Sequence, residues 1–370
     1  MRIVVGLSGG VDSAVAALLL KREGHDVAGL FMKNWEDDDR EGYCAAEADY
    51  RSAKSVCEAL AIPLHLVNFS DEYRERVFSR FLQAHRAGLT PNPDVLCNKE
   101  IKFRSFLEHA FALGAERVAT GHYARLTVNR ATGLLELRKA RDPGKDQSYF
   151  LSLLGQHQIA RTLFPLGTLY KQEVRQIARG ESLPNHDRKD STGICFIGER
   201  NFRAFLSRYL APEPGEIRDV DGHLKGRHSG LMYYTLGQRR GLGIGGPGGP
   251  WYVVEKRLAD RVLVVAPEDH PRLFSLALGA GNLEWVAGSP PAFPLRCHAK
   301  IRYRQRDERC IVEDAGDGDV RVSFEMPQRA VTPGQSLALY IDDLCLGGGT
   351  ILYAVTGQSA DAVPQLGQNH

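Results

Sequence analysis

The chain has 370 residues, 43% hydrophobic and 25% charged, with 47 Lys and Arg against 45 Asp and Glu, the profile of a soluble globular protein of two or three domains. A formal charge of only +2 excludes a global positive field, so any nucleic acid must be held by local basic patches. The seven cysteines, at 44, 57, 97, 195, 297, 310 and 345, include no C-x-x-C pair, which argues against a disulfide scaffold, a zinc ribbon and a Cys-ligated iron–sulfur cluster.

Met1 runs directly into the strand-like Arg2-Ile3-Val4-Val5, and no apolar run approaches the length of a membrane span. The expectation is a cytoplasmic enzyme with reduced thiols. Strands are predicted over 3–7, 27–32, 64–69 and 117–120, separated by helices over 13–23, 45–60, 71–88 and 99–113. This βαβ order implies a parallel sheet with helices on both faces. In the fourth helix Phe103, Phe106, Leu107, Ala110 and Phe111 share one face, as in a helix laid on a sheet. Residues 123–140 read as a polar hairpin, and 156–179 return to helix. After about 210 the character changes: Pro212, Pro214, Gly215 and Gly222 open a turn-rich stretch, and 239–250 is too rich in Gly and Pro for a core element. Short β runs follow at 251–255, 262–265, 295–303, 308–313, 319–324, 336–341 and 350–354.

The strongest local signal lies between the first strand and an Ala- and Leu-rich helix: Gly6, Leu7, Ser8, Gly9, Gly10, Val11, Asp12 and Ser13. Glycines let the backbone approach phosphate oxygens, the helix start offers unpaired N–H groups, and two serines add hydroxyl donors. No Lys follows the glycines, so this is not a Walker loop, and it is not G-x-G-x-x-G either. SGGVDS at 8–13 resembles the pyrophosphate loop of the ATP pyrophosphatase superfamily, whose members adenylate a carbonyl oxygen and release pyrophosphate. The resemblance implies ATP and Mg²⁺, with Asp12 near the metal, no metal held by protein ligands alone, and Met32 at the end of the second strand beside the adenine.

Two cysteines stand in chemically suggestive settings. Cys97 follows Thr90-Pro91-Asn92-Pro93-Asp94 and falls just before the predicted fourth helix, where the helix end and Lys99 and Lys102 favour a thiolate; Asp94 is close enough to exchange protons with a substrate. Cys195 follows the small residues Ser191, Thr192 and Gly193 and is flanked by Arg188, Lys189 and Arg200. Cys57, Cys297, Cys310 and Cys345 read as buried core thiols. Cys44 follows an acidic run, Glu36 to Asp39, which reads as a solvated loop in preference to a metal site.

SGGVDS, together with 31–35 (FMKNW), 90–103 (TPNPDVLCNKEIKF), 119–125 (ATGHYAR), 145–151 (KDQSYFL), 188–200 (RKDSTGICFIGER), 230–246 (GLMYYTLGQRRGLGIGG) and 332–336 (TPGQS), closely resembles the bacterial tRNA 2-thiouridylase family over residues 3 to about 349. The resemblance implies replacement of the 2-oxygen of the wobble uridine by sulfur, a tRNA-uridine 2-sulfurtransferase activity. It implies that Cys195 receives sulfur as a persulfide from a sulfur-relay protein or cysteine desulfurase, that Cys97 is the second active thiol, and that the two end as a disulfide. It further implies that Asn92, Pro93 and Asp94 contact the flipped base, that Gly121 contacts ATP, and that His122, Lys145, Asp146, Gln147, Arg302, Tyr303 and Gln335 contact tRNA. The stretch 296–309 carries six Lys and Arg against two acids, as a local RNA-binding patch would. The implied protein is a monomer with a Rossmann-like ATP pyrophosphatase domain (1–208), a small, mostly β middle domain (209–275), a C-terminal β-barrel that binds tRNA (276–358) and a tail (359–370). The competing reading is a ligase of the same superfamily, forming an amide or amidine in the manner of a tRNA lysidine synthetase, with structural cysteines.

Overall fold

The computed structural model describes residues 1–36, 45–190, 202–246 and 248–356. Cys44 and Cys195 therefore lie outside the described residues. Five strands build the N-terminal sheet: β1 (Arg2–Gly6), β2 (Asp26–Lys33), β3 (Leu64–Asn68), β4 (Arg117–Ala119) and, later in the chain, β7 (Thr162–Leu163). All pair in parallel, in the order β3-β2-β1-β4-β7. The chain runs outward from β1 to β3 and then returns to the other side of β1 with β4. The carboxyl ends of β1 and β4 thus flank a topological switch point, the place where open α/β sheets bind ligands. Ile3, Val4 and Val5 are fully buried; their neighbours on the helices pack both faces, as the βαβ pattern requires.

The helices differ from expectation where local chemistry overrides periodicity. The helix expected at 99–113 begins at Pro93: Asn92 caps it by accepting from the Val95 N–H, and Pro93 supplies the preset φ of a first helical residue. Helical turns then run on to 112, with wide π turns filling 98–105 and a kink at Phe103, whose φ/ψ leave the helical region. Cys97 therefore sits more than a turn inside a helix instead of just before one. The stretch 156–179 is helical only in part, since β7 interrupts it and adds the fifth strand.

The polar hairpin at 123–140 forms as β5 (Ala124–Val128) and β6 (Leu135–Lys139), but it does not stand alone. Four strands make the middle unit: β8 (Gly215–Asp219), β9 (Leu224–His228), β10 (Trp251–Arg257) and β11 (Val262–Pro267), in the order β10-β11-β8-β9. The last six are β12 (Phe274–Trp285), β13 (Leu295–Lys300), β14 (Glu308–Gly316), β15 (Asp319–Arg329), β16 (Ser336–Ile341) and β17 (Leu344–Thr356). They close into a barrel because β12 pairs with both β15 and β17. The β6 strand adds to β17 through Leu137 opposite Cys345, so the hairpin welds the N-terminal part to the barrel.

Four strands, β7, β8, β9 and β12, carried no strand signal. In β12 the reason is visible: a Cβ on Gly279 would lie 2.2 Å from the Tyr353 ring, so glycines that break the β pattern are what lets the barrel close. Conversely, the strand expected over 295–303 ends at Lys300, and 301–307 form a turn. Among the described residues no helix is long and apolar enough to cross a membrane.

Candidate functional site

The glycine loop leaves β1 at the switch point and enters helix α1 (Val11–Arg22), whose start no side chain caps. Its first N–H groups are thus turned to the end of the sheet, as an anion site requires. Gly9 has φ +75°, and a Cβ there would lie 2.4 Å from the Asp49 carbonyl. The loop is held from behind: the Gly9 carbonyl accepts from Ser52 Oγ at 2.7 Å, Asn185 Nδ2 at 2.9 Å and Arg188 Nη1 at 3.1 Å. Ser13 Oγ accepts from the Ser8 N–H and donates to the Gly10 carbonyl. Gly121, just past β4, lies so close that a Cβ would meet Ser13 N at 2.7 Å and Asp12 C at 2.8 Å. The two strand ends that flank the switch point therefore touch backbone to backbone. Leu7 and Val11 face the core, and half-buried Met32, next to last in β2, packs against the core cluster that includes Tyr73 and Phe78.

Asp12 does not wait free for a metal. Its carboxylate accepts from Lys171 Nζ at 2.7 and 2.8 Å and from the Tyr123 hydroxyl at 2.8 Å. Burial, then the Asp12 charge, drives the Tyr123 hydroxyl far above its ordinary pKa, so it stays a donor. The same Lys171 reaches Asp190 at 2.8 Å, and Asp190 also pairs with Lys145 and Arg175, each at 2.7 Å. Burial alone would raise Asp190, but these cations outweigh it and hold the carboxyl at about 2. Periodicity alone does not single out Lys171: it opens an ordinary amphipathic helix, and only the fold brings it 159 positions back to the loop. Its placement behind Tyr170, which caps that helix with Glu173, is the one local hint.

The second sequence block, 145–151, connects everything around it. Gln147 exchanges bonds with the Tyr123 backbone, at 2.9 Å through Oε1 and 2.8 Å through its own N–H. Asp146 is buried and turned inward, accepting from the N–H groups of Ala140 and Ser148 and from Ser148 Oγ. Its carboxylate organises the loop. Asn98 Nδ2 donates to the Phe150 carbonyl, and the Tyr149 hydroxyl donates to the Ser336 carbonyl in the barrel. Tyr303 packs on Phe150 in a tilted arrangement, with ring centroids 4.3 Å apart and planes inclined at 43°.

Cys97 is fully buried, packed with Ile101 and Leu107 in the core beneath the 93–112 helix. Asp94 is half-buried in that helix's first turn, where a carboxylate is favoured. The loop entering this helix is clamped from two other domains. Gln335 Nε2 donates to the Thr90 and Pro91 carbonyls at 2.8 and 3.3 Å, the Thr90 N–H donates to the Pro333 carbonyl, and buried Lys256 of β10 donates to the Gly88 carbonyl at 3.0 Å. Gln335 thus spends its amide donor on the loop. Half-buried His122 touches the Thr120 hydroxyl at 2.8 Å and lies between Phe103 and Phe164; burial, then Lys102, lowers its pKa well below the usual value and keeps it neutral. Arg302 donates to the Ala330 carbonyl. The structure therefore gathers the glycine loop, Gly121, the 145–151 loop, the Asn92–Cys97 turn and Gln335 around one end of the sheet.

Comparison with known proteins places this constellation. Residues 1–199 match the family model described as the tRNA methyl transferase HUP domain, 203–267 the tRNA methyl transferase PRC-barrel domain, and 275–351 the aminomethyltransferase beta-barrel domain. The chain is 54% identical over 356 residues to the tRNA-specific 2-thiouridylase MnmA of Francisella tularensis subsp. tularensis, strain WY96-3418, covering 95% of this chain and 99% of that one. The chain belongs to the tRNA-specific 2-thiouridylase family. The 2-thiouridylase of subspecies novicida, strain U112, matches over the same shares at the same identity. Among solved structures, a 4-thiouridine synthetase in complex with RNA and ATP is similar at 17% identity and TM-score 0.35, over 56% of this chain and 49% of that one.

Proposed function

We propose that this member of the 2-thiouridylase family is an ATP-dependent tRNA-uridine 2-sulfurtransferase. The observation that carries the reading is the convergence of an uncapped, glycine-cradled helix start with the Asn92–Cys97 turn at one sheet end, in a chain 54% identical to a 2-thiouridylase over nearly its whole length. The ligase alternative leaves Cys97 and the sulfur chemistry of its relatives unexplained.

An amide-like carbonyl oxygen is a poor leaving group. In this reading ATP is attacked at its α-phosphorus by the uridine O2, pyrophosphate leaves, and the oxygen becomes part of a good leaving group, AMP. The N–H groups of α1 and the Ser8 and Ser13 hydroxyls would receive the phosphates, with Met32 and Gly121 beside the rest of the nucleotide. Asp12 would help to hold a Mg²⁺ ion, whose charge would offset that of the departing pyrophosphate. Asp12 would have to exchange part of its pairing with Lys171 and Tyr123 for the ion, which would free the Lys171 ammonium to meet a phosphate oxygen. Asn92, Pro93 and Asp94 would meet the base, which must be flipped from the anticodon loop to reach C2; Asp94 would move its proton.

Cys195 would carry sulfur as a persulfide, received from a sulfur-relay protein or cysteine desulfurase. Its terminal sulfur attacks C2 and AMP leaves; the Cys97 thiolate then attacks the Cys195 sulfur, and the sulfur on C2 departs with the electron pair of the broken S–S bond. The product is 2-thiouridine and a Cys97–Cys195 disulfide, which an external thiol reductant must supply two electrons to reopen. Buried Cys97 is reached only when the side chains covering it part. Lys145, Gln147, His122, Arg302, Tyr303 and the basic stretch 296–309 would line the RNA path, while Asp146 and Gln335 hold that path in shape. The chain would act as a cytoplasmic monomer.

The test is pyrophosphate release from Mg·ATP. It should depend on unmodified tRNA and persist in Cys97→Ser and Cys195→Ser, while sulfur transfer is lost in both; retained sulfur transfer in both variants would sink the mechanism.

A further inference from the structure

Two cysteines outside the proposed chemistry face one another in the barrel. Cys297 on β13 is directly opposite Cys310 on β14 in the antiparallel register, with their sulfurs 3.7 Å apart. Directly opposed strand residues have Cβ atoms about 4.5–5.5 Å apart, and a disulfide wants about 3.5–4.5 Å. Closing the pair therefore asks for a shift of about an ångström in one hairpin. A cavity of about 260 Å³ opens on both sulfurs and is lined also by Arg296, His298, Arg309, Glu325 and Asp342. The cysteines are otherwise buried, at 6% and 3% exposure.

We propose that Cys297 and Cys310 are a second redox site, a dithiol that a small disulfide oxidises to a cross-strand disulfide without involving the sulfur-transfer cysteines. The contact favours Cys297 as the thiolate: hydrogen bonding from Cys310 lowers the Cys297 thiol, and the same contact and burial raise Cys310. Cys297 is thus the attacking sulfur. Its thiolate attacks one sulfur of the oxidant, the oxidant's S–S bond breaks and one thiolate leaves; Cys310 then loses its proton, attacks the Cys297 sulfur and expels the second. The protein dithiol is oxidised, one disulfide is reduced to two thiols, and both protein protons go to the leaving groups. The bridge staples the base of the hairpin whose turn, 301–307, carries Arg302 and Tyr303.

Full-length chain and the Cys97→Ser/Cys195→Ser chain, kept folded by the criterion of circular dichroism, would be incubated with oxidised glutathione, alkylated and mapped by mass spectrometry after digestion. Both should yield a cross-linked peptide pair joining Cys297 to Cys310, with those two thiols no longer alkylatable and fully restored by dithiothreitol. In Cys310→Ala, Cys297 should instead hold glutathione. Cys297 and Cys310 both found alkylated after excess oxidant, or Cys297 joined to another cysteine, would overturn the proposal.

Discussion

Lys171 is the residue on which the glycine loop and the 185–190 segment both depend, because it joins Asp12 to Asp190 while itself almost wholly buried. Lys171→Met leaves two carboxylates without their shared cation. Losing a charge-assisted bond costs about 1.5–3 kcal/mol, so tRNA-dependent pyrophosphate release should fall about tenfold or more, read directly as initial rates. Asp190 also sets an acid limit. Its folded pKa, about 2, lies below the unfolded carboxylate value of 3.8, so its contribution is fully present above about pH 4 and is lost as pH falls toward 2. Melting curves between pH 5 and 2 should show a steeper decline for the parent than for Asp190→Asn. Gly121→Ala tests the tight contact at the switch point: the new Cβ has only backbone to meet, and overpacking of this kind costs about 1–3 kcal/mol. A lowered melting temperature with weakened ATP binding is the expected result; an unchanged KM for ATP would count against the site. At this scale the sequence was readable wherever chemistry is local. Ser8 to Ser13 and Asn92 to Cys97 are contiguous strings whose turn and cap residues announce themselves. Lys171 and Tyr123 join their target only through the fold, and Asp146, a polar residue in a promising string, turned out to serve its own loop.

The loop over 88–92 is a small element with no regular structure, yet the middle unit holds it through Lys256 and the barrel holds it through Pro333 and Gln335. Gln335→Ala removes the bonds to the Thr90 and Pro91 carbonyls, worth about 1 kcal/mol, and should raise the KM for tRNA about fivefold while leaving ATP binding unchanged. A shift in both constants would mean the substitution disturbs more than this loop. Beneath the same loop, buried His85 faces the Met232 carbonyl, with Lys256 near, and burial followed by that lysine lowers its pKa to about 4. Since the unfolded value is about 6.5, His85 favours the folded state fully above pH 6.5 and loses that effect as pH drops to 4; His85→Gln should flatten this part of the stability profile. Elements were legible where apolar periodicity and propensity agreed, as in β1, β2 and α1. They were not legible where a proline and a cap moved the start of the 93–112 helix, or where Gly279 and Gly281 sit in a strand because Tyr353 and Asp319 need the room.

The whole molecule is an N-terminal parallel sheet whose site end is completed by pieces of two later units. The β5–β6 hairpin extends the barrel sheet, and Val95, Tyr149 and Leu137 share a core with Tyr340 and Cys345. A chain ending after Pro267 would expose that shared core and an open β6 edge, so it should aggregate or melt well below the full chain instead of behaving as an independent catalytic domain. Sequence composition indicated a split into α/β and β parts but not this weld, since strand pairing across more than two hundred residues leaves no local mark.

The central claim is that this assembly puts sulfur on uridine. Unmodified tRNA incubated with the chain, Mg·ATP and a persulfide source, then digested to nucleosides and analysed by mass spectrometry, should show sulfur in place of the 2-oxygen of the wobble uridine, dependent on ATP, Cys97 and Cys195. A wobble uridine that stays unmodified, or that gains an amine or a methyl group in place of sulfur, would contradict it.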